Sequence, residues 1–239
     1  MALASEYVTE PARVGLQFAL EEPPERWRLE EGKVPETPLH DRTIALLMAI
    51  LEHWILQRCV RERDRPAMAA RNLGCRWDPD DARVGTDPDI VLLEPPPPEA
   101  EALTTLRVWE PGHAPPPLAV EVVSKNTADE DYVEAAARCA RLGVRELWVF
   151  DPLREGPATT GGPFVLQVWR RRDDVMARVY AGAGPAFSEE LSAWLVVTDQ
   201  GRRLRLADDP DGVSLWPTSA EAAEAEVERL RRALIEGRG

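Results

Sequence analysis

The sequence predicts an α/β fold. Three stretches predict it: a strand–helix–strand unit over 117–152, a long helical pattern before it over 37–63, and a hairpin pattern after it around 170–174. Leu118, Ala119, Val120, Val122 and Val123 form the short apolar run of a buried strand. Glu146–Phe150 is a second such run, ended by Asp151-Pro152. Between them, 132–142 has helical character. Its expected apolar face is Val133, Ala136, Ala137, Ala140 and Leu142, and Gly143 supplies the stop. A unit of this length favours two parallel strands joined by a right-handed crossover.

The remaining elements follow in order. Val14, Leu16, Phe18 and Leu20 alternate, as in a short strand or an extended arm, and 26–33 reads as the end of a short helix or strand stopped by Gly32. In the long helix, Ile44, Leu47, Met48, Leu51, Trp54, Ile55 and Val60 recur at helical spacing, with Asp41 as the expected N-cap. His40, just before it, is either a site residue or part of a cap. Asp87-Pro88-Asp89 is an acidic turn that runs into the apolar strand Ile90–Leu93, which Pro95 to Pro98 end. Residues 99–106 read as a surface connection and 107–110 as a short strand. The runs 164–169 and 177–180 form the hairpin, with Arg170, Arg171 and Arg172 at an exposed tip. Short strands are expected at 195–197 and 203–206, and a charged terminal helix at 218–235, either a coiled-coil arm or a helix lying on the domain. The expected domain division is an arm over 1–26, a main domain over 27–217 and a terminal helix over 218–239.

The chain has 239 residues, with 42 acidic against 29 basic side chains, a formal net charge of -13. That argues against a broad basic surface for non-specific nucleic-acid binding, while a local basic cleft stays open. Cys59, Cys75 and Cys139 lie far apart with no CxxC pair, which suits reduced, buried or incidental thiols in a cytoplasmic protein. There is no signal-peptide pattern and no apolar run of membrane-spanning length, so no membrane partner is expected.

Two acids stand where solvation alone does not explain them. Asp89 precedes one apolar strand and Glu121 interrupts another, where a charge is costly unless it is paired, protonated or metal-bound. If the strands are neighbours, both carboxylates enter one cleft. Oxygen ligands of this kind suit a hard divalent cation such as magnesium, which can activate water for phosphodiester cleavage, usually with a lysine nearby. The alternatives are a turn cap for Asp89 and an ion pair between Glu121 and Arg107 or Arg138. Asp131 reads as the N-cap of its helix, and Trp148 as core.

Pro88-Asp89 followed by Glu121-Val122-Val123-Ser124 resembles the motif of PD-(D/E)XK nucleases. The order Asp-Pro-Asp-Ile-Val, Val-Glu-Val-Val-Ser, Asp131, Gly143-Val144-Arg145-Glu146-Leu147-Trp148, Asp151-Pro152 is similar to the Uma-two family of restriction-type endonucleases, formerly a domain of unknown function. Glu30 with Gly32, and His40 before the first long helix, extend the resemblance. It implies a restriction-endonuclease-like mixed β-sheet flanked by helices, with a C-terminal helix. It also implies a magnesium (or manganese) site on Asp89 and Glu121, with Glu30 as an extra acid at its rim, DNA as substrate, and a homodimer. One departure matters. The family's lysine lies on the helix eight residues before the glycine, and that position is Ala135; the aromatic four before the glycine is Cys139. Lys125 and Arg138 are the candidate replacements, with Arg138 and His40 as substrate contacts. Two other readings stay open: a catalytically inactive nuclease-fold protein serving as a binding or scaffold module, and a structural domain whose terminal helix dimerises or recruits a partner.

Overall fold

The structure is a computed structural model that describes residues 37–61, 65–125 and 128–236, without the side chains of residues 59–61. The expectations placed on the arm over 1–26, on 26–33, and on Glu30, Gly32, Cys59 and Val60 lie outside this description.

The first helix, α1, spans Pro38–Arg61. Thr37 caps it, its Oγ1 accepting the His40 N–H at 3.2 Å. Asp41 therefore stands in the first turn rather than at the cap, because Pro38 takes the opening position, where no N–H is required. Ile44, Leu47, Met48, Ile50 and Leu51 are buried, and each such side chain contributes about 1.5–3 kcal/mol.

The strands in chain order are β1 (Met68–Arg71), β2 (Gly74–Arg76), β3 (Gly85–Thr86), β4 (Ile90–Leu93), β5 (Thr105–Arg107), β6 (Leu118–Val122), β7 (Glu146–Phe150), β8 (Leu166–Arg172), β9 (Val175–Gly182), β10 (Ala186–Ser188), β11 (Ala193–Thr198) and β12 (Arg203–Ala207). Six of them make a mixed sheet in the order β1-β4-β6-β7-β8-β9, with β6 and β7 parallel and the other neighbours antiparallel. The remaining strands form two small sheets, β3-β2-β5 and β10-β11-β12. The strand expected at 107–110 is instead Thr105–Arg107, held parallel to β2, and the chain turns at once as Glu110 N–H donates to Arg107 O. Leu106 is fully buried, so the connection expected over 99–106 ends in the core, while Glu99, Glu101, Ala102 and Thr104 are exposed as expected of a surface segment.

Alternation along the strands sorts side chains onto two faces. Ile90, Leu92, Leu118, Val120, Val122, Trp148 and Phe150 share one core with α1 and with Leu195, Leu204 and Leu206 of the third sheet. Val91, Leu93, Ala119, Val123, Leu147 and Val149 share the other with the crossover helices. Those helices are α2 (Ala128–Val133) and α3 (Ala135–Leu142), separated at Glu134. Asp131 thus lies inside α2 and is not an N-cap. Tyr132, Ala135, Cys139, Ala140 and Leu142 are buried and Ala136 is half-buried, so the expected Ala136, Ala140 and Leu142 do turn inward, whereas Val133 and Ala137 are exposed, which corrects that part of the expected face. Gly143, at φ 95°, ends α3 as expected, its N–H donating to Cys139 O.

The hairpin β8–β9 turns at Asp173-Asp174. Arg170 is not at an exposed tip: its Nε donates to Glu146 Oε2 at 3.2 Å and it pairs with Glu189 at 2.7 Å. Glu146 itself is buried, accepting also from Trp148 Nε1, the Ser188 hydroxyl and the Glu189 N–H. This carboxylate ties β7, β8 and β10 together. The last helix, α4 (Ser219–Glu236), opens with a capping box, in which Thr218 N–H donates to Glu221 Oε2 and Glu221 N–H to Thr218 Oγ1.

Glu146→Ala should leave the buried Trp148 indole N–H and Ser188 hydroxyl without this acceptor and take from Arg170 its buried partner, leaving it Glu189 and the Phe187 carbonyl. We expect a loss of about 3–5 kcal/mol in urea unfolding, the cost of breaking a buried ion pair; a loss below about 1 kcal/mol would show that the network contributes little.

Candidate functional site

The site follows from one register. Ile90 on β4 lies opposite Val120 on β6, so the next pair along the antiparallel ladder is Asp89 and Glu121. Two carboxylates from two segments are thereby brought together at the end of β4. Asp89 Oδ2 accepts the Val122 N–H at 2.7 Å, and Glu121 Oε2 accepts the Asp89 N–H at 3.3 Å. These reciprocal bonds lock both side chains. Asp89 is bound to the backbone of the facing strand, which goes beyond the role of a simple turn cap.

His40 completes the cluster from the start of α1. Its Nε2 lies 3.2 Å from Asp89 Oδ2, and the ring is buried. The Thr37 cap fixes the turn that carries it, and Arg71 of β1 holds Asp41 at 3.2 Å next to it. His40 thus lies beside Asp89, with that carboxylate among its partners.

Glu121 is only 7% exposed. Its carboxyl is held well above the ordinary range, first by burial and then by the negative charges of Asp89 and Asp131, with Glu130 adding a smaller push; the Asp89 N–H acts in the opposite direction. Asp131 and Glu130 therefore belong to the field of the site. Sequence reading assigns Asp131 to a cap, and the one signal pointing elsewhere is the acidic run of α2. The inner face of α3 looks onto the same place. Burial raises the Cys139 thiol, and Glu121 raises it further. Cys75 is pushed up to about 12 by burial and by Asp87, with Arg76 opposing and Glu121 adding. Both thiols are buried, free and protonated, as expected of inert cysteines.

Ala135 is buried one turn before Cys139 in the same core. The position where the resemblance expects a lysine thus lies in that core, one turn before the thiol that feels the Glu121 charge, and carries a methyl group. Lys125 is exposed in the turn after β6, four residues beyond Glu121. Arg138 is held by Glu130 and by Glu134, the latter at 2.6 Å, and Arg107 pairs with Glu110 at 3.3 Å. Neither arginine is the ion-pair partner that the bland reading of Glu121 requires. Among the described residues no third His, Cys, Asp or Glu joins the pair into a metal-holding cluster; Glu30 lies outside them.

The comparisons with known proteins bear on this geometry. A family model described as "Putative restriction endonuclease", Uma2, matches residues 16–159, more than half of the chain. The chain belongs to the Uma2 family. The matched span holds α1, His40, Asp89, Glu121 and the whole β6–α2–α3–β7 unit, and ends before β8. Among solved structures, a putative nuclease belonging to DUF820 from Anabaena variabilis ATCC 29413 is similar at 14% identity and a TM-score of 0.43, over 66% of this chain and 75% of that one. No curated protein matches. No helix among the described residues is long and apolar enough to cross a membrane.

A carboxyl whose folded pKa is raised binds its proton more tightly folded than unfolded. The stability it contributes is present below the unfolded value, about 4, and is lost as pH rises through the folded one. Glu121→Gln removes that loss. In chelator-treated protein, its melting temperature should exceed the parent's at pH 8, and the gap should close by pH 4. A gap independent of pH would show that Glu121 is not strained by its surroundings.

Proposed function

We propose that this Uma2 protein is a divalent-metal-dependent endonuclease hydrolysing phosphodiester bonds of DNA, with Asp89 and Glu121 as the ligands of magnesium or manganese. The observation that supports this reading best is the pair itself: two carboxylates joined by reciprocal backbone bonds, one of them buried among further acids. The donor set fits the ion. Magnesium takes few protein groups, one or two carboxylates, with water and phosphate oxygens completing its shell. Among the described residues, no hydrogen bond occupies Asp89 Oδ1 or Glu121 Oε1, so each carboxylate keeps an oxygen for a ligand. When bound, such an ion supplies activation of water and stabilisation of the leaving oxygen.

The chain's own residues do the rest. His40 and the Val122 N–H fix the orientation of Asp89. The Asp89 N–H fixes Glu121. Lys125, exposed at the end of β6, is placed in sequence to meet an incoming phosphate and oppose developing charge. Arg138 is a second cation on the adjoining helix, and Glu30 is the candidate third acid. The dimer and the cytoplasmic setting implied by the resemblance belong to the same proposal.

A second reading rests on one observation. Ala135, at the position where the resemblance expects the helix lysine, is buried and carries no charge, so the chain can hold metal without cutting. Calorimetric titration of magnesium and manganese, paired with plasmid nicking, separates the two. In the parent we expect binding and nicking; Asp89→Asn and Glu121→Gln should lose both, and Lys125→Ala should keep binding while nicking falls at least about tenfold, the scale of a lost charge-stabilising group. Binding without nicking selects the second reading, and Ala135→Lys should then raise cleavage. No binding in the parent overturns the metal site.

The raised Glu121 carboxyl adds a pH signature. Metal binding must displace its proton, so affinity should rise with pH, up to about tenfold per unit below the folded pKa, and level off above it. A flat profile from pH 5 to 8 would remove Glu121 from the ligand set.

A further inference from the structure

The last helix is folded but almost uncovered. α4 runs for 18 residues, about 27 Å at 1.5 Å per residue. Among the described residues, its polar ties are made at its first turn. Trp216, just before it, stacks on Trp54 of α1 with ring centroids 5.8 Å apart. Arg205 grips Glu221 through two bonds, and His53 Nδ1 lies 3.2 Å from Ser219 Oγ. No residue of α4 is buried, and every residue from Ala223 to Glu236 is exposed. A helix of this length is marginal in water unless an apolar face packs on something.

Such a face is present. Ala220, Ala223, Val227, Leu230 and Leu234 recur at spacings of three and four, the a and d pattern of a coiled coil. Val227 and Leu230 are each 48% exposed and Leu234 is 65% exposed, more apolar surface than the first-turn anchor needs. The charges beside the stripe are sorted. Arg229 pairs with Glu226 and Arg232 with Glu228 within the helix. Among the described residues, Arg231 makes no ion pair; it flanks the stripe on the same margin as Glu224, with Glu226 on the opposite margin.

We propose that α4 is a self-association element, whose apolar stripe packs against α4 of a second copy of this chain. That contact is the surface for the homodimer included in the proposed function. The stripe is self-complementary, because one copy's Arg231 meets a glutamate of the other in either direction. In a parallel pair the five-residue offset brings it to Glu226, and in an antiparallel pair it lies near Glu224. A lipid surface fits poorly. The helix carries five glutamates against three arginines, and the chain as a whole is acidic. The stripe covers little more than two heptads, so the association is of micromolar rather than nanomolar strength. The pairing deepens the homodimer of the proposed function and rests on nothing in the metal site, so either can fail without the other.

Sedimentation equilibrium of the full chain from 1 to 200 µM tests it. The parent should approach twice the 26.7 kDa chain mass at the upper end. Leu230→Asp with Leu234→Asp should remain at one chain mass, a weakening of at least about 100-fold, with the melting temperature of the domain unchanged. Arg231→Glu should weaken pairing, and adding Glu226→Arg or Glu224→Arg should restore it, the restoring partner reporting a parallel or an antiparallel pair. A parent that stays at one chain mass at 200 µM overturns the proposal. So does a dimer that survives the double aspartate variant, since that would place the contact elsewhere. Failure of both charge partners to restore pairing would remove the complementarity on which the choice of a second copy rests.

Discussion

The antiparallel pairing of β4 with β6 is the constraint on which the site depends. It sets Asp89 across from Glu121, and a shift of one residue would turn the whole of β6 over and send Glu121 to the α1 side of the sheet. Both strands are held against such a shift by burial on both faces. Val120 and Val122 fill the core under α1, while Ala119 and Val123 fill the one under α3. The acids are therefore brought together by apolar packing. Their mutual repulsion is a cost that the strands carry, and two backbone N–H groups offset part of it.

That arrangement explains why one carboxylate is strained and how its neighbour is held. Asp89 sits at the end of β4, receives the Val122 N–H, and has a histidine at 3.2 Å. Glu121 is inside its strand, with burial and three other acids opposing its charge. A buried carboxylate in acidic company is at odds with a purely structural role, because replacing it by an apolar residue would relieve the strain. Glu146 provides the contrast within the same sheet. It is more deeply buried than Glu121, but an arginine, a serine, an indole and a backbone N–H meet its oxygens. It binds strands together, whereas Glu121 keeps an oxygen available.

Much of this was legible in the sequence, for a physical reason. Strands buried on both faces read as unbroken apolar runs, so β4, β6 and β7 stand out, and an acid inside such a run marks itself. Long helices with one apolar side read equally well, hence α1. What did not read were short elements whose burial comes from distant partners. β2, β5 and β10 have three residues each, too few for periodicity to declare itself. The crossover helix was misread for a related reason. Val133 is more hydrophobic than Ala135, yet the break at Glu134 turns Val133 outward and Ala135 inward. Tyr132 settles that rotation. Its hydroxyl donates to buried Asp151 and accepts the Phe164 N–H, and a Cβ at Gly156 would sit 2.1 Å from its ring. No local pattern announces an anchor made by four segments.

The same rotation gives meaning to the position where the chain departs from its family. Because Tyr132 fixes the face of the crossover that meets the sheet, residue 135 is directed into the core beside Cys139, whose thiol feels the charge of Glu121. Alanine there carries no charge, so on the proposed function positive charge would come from the β6 turn, where Lys125 is exposed, or from a bound ion. A solvated lysine stabilises negative charge less than a desolvated one, since water screens it. On the proposed function, the chain would take from a bound ion the positive charge that a helix lysine would otherwise supply. Among the described residues, the charges that Glu121 feels are those of the acids Asp89, Asp131 and Glu130, and the Asp89 N–H is what opposes them.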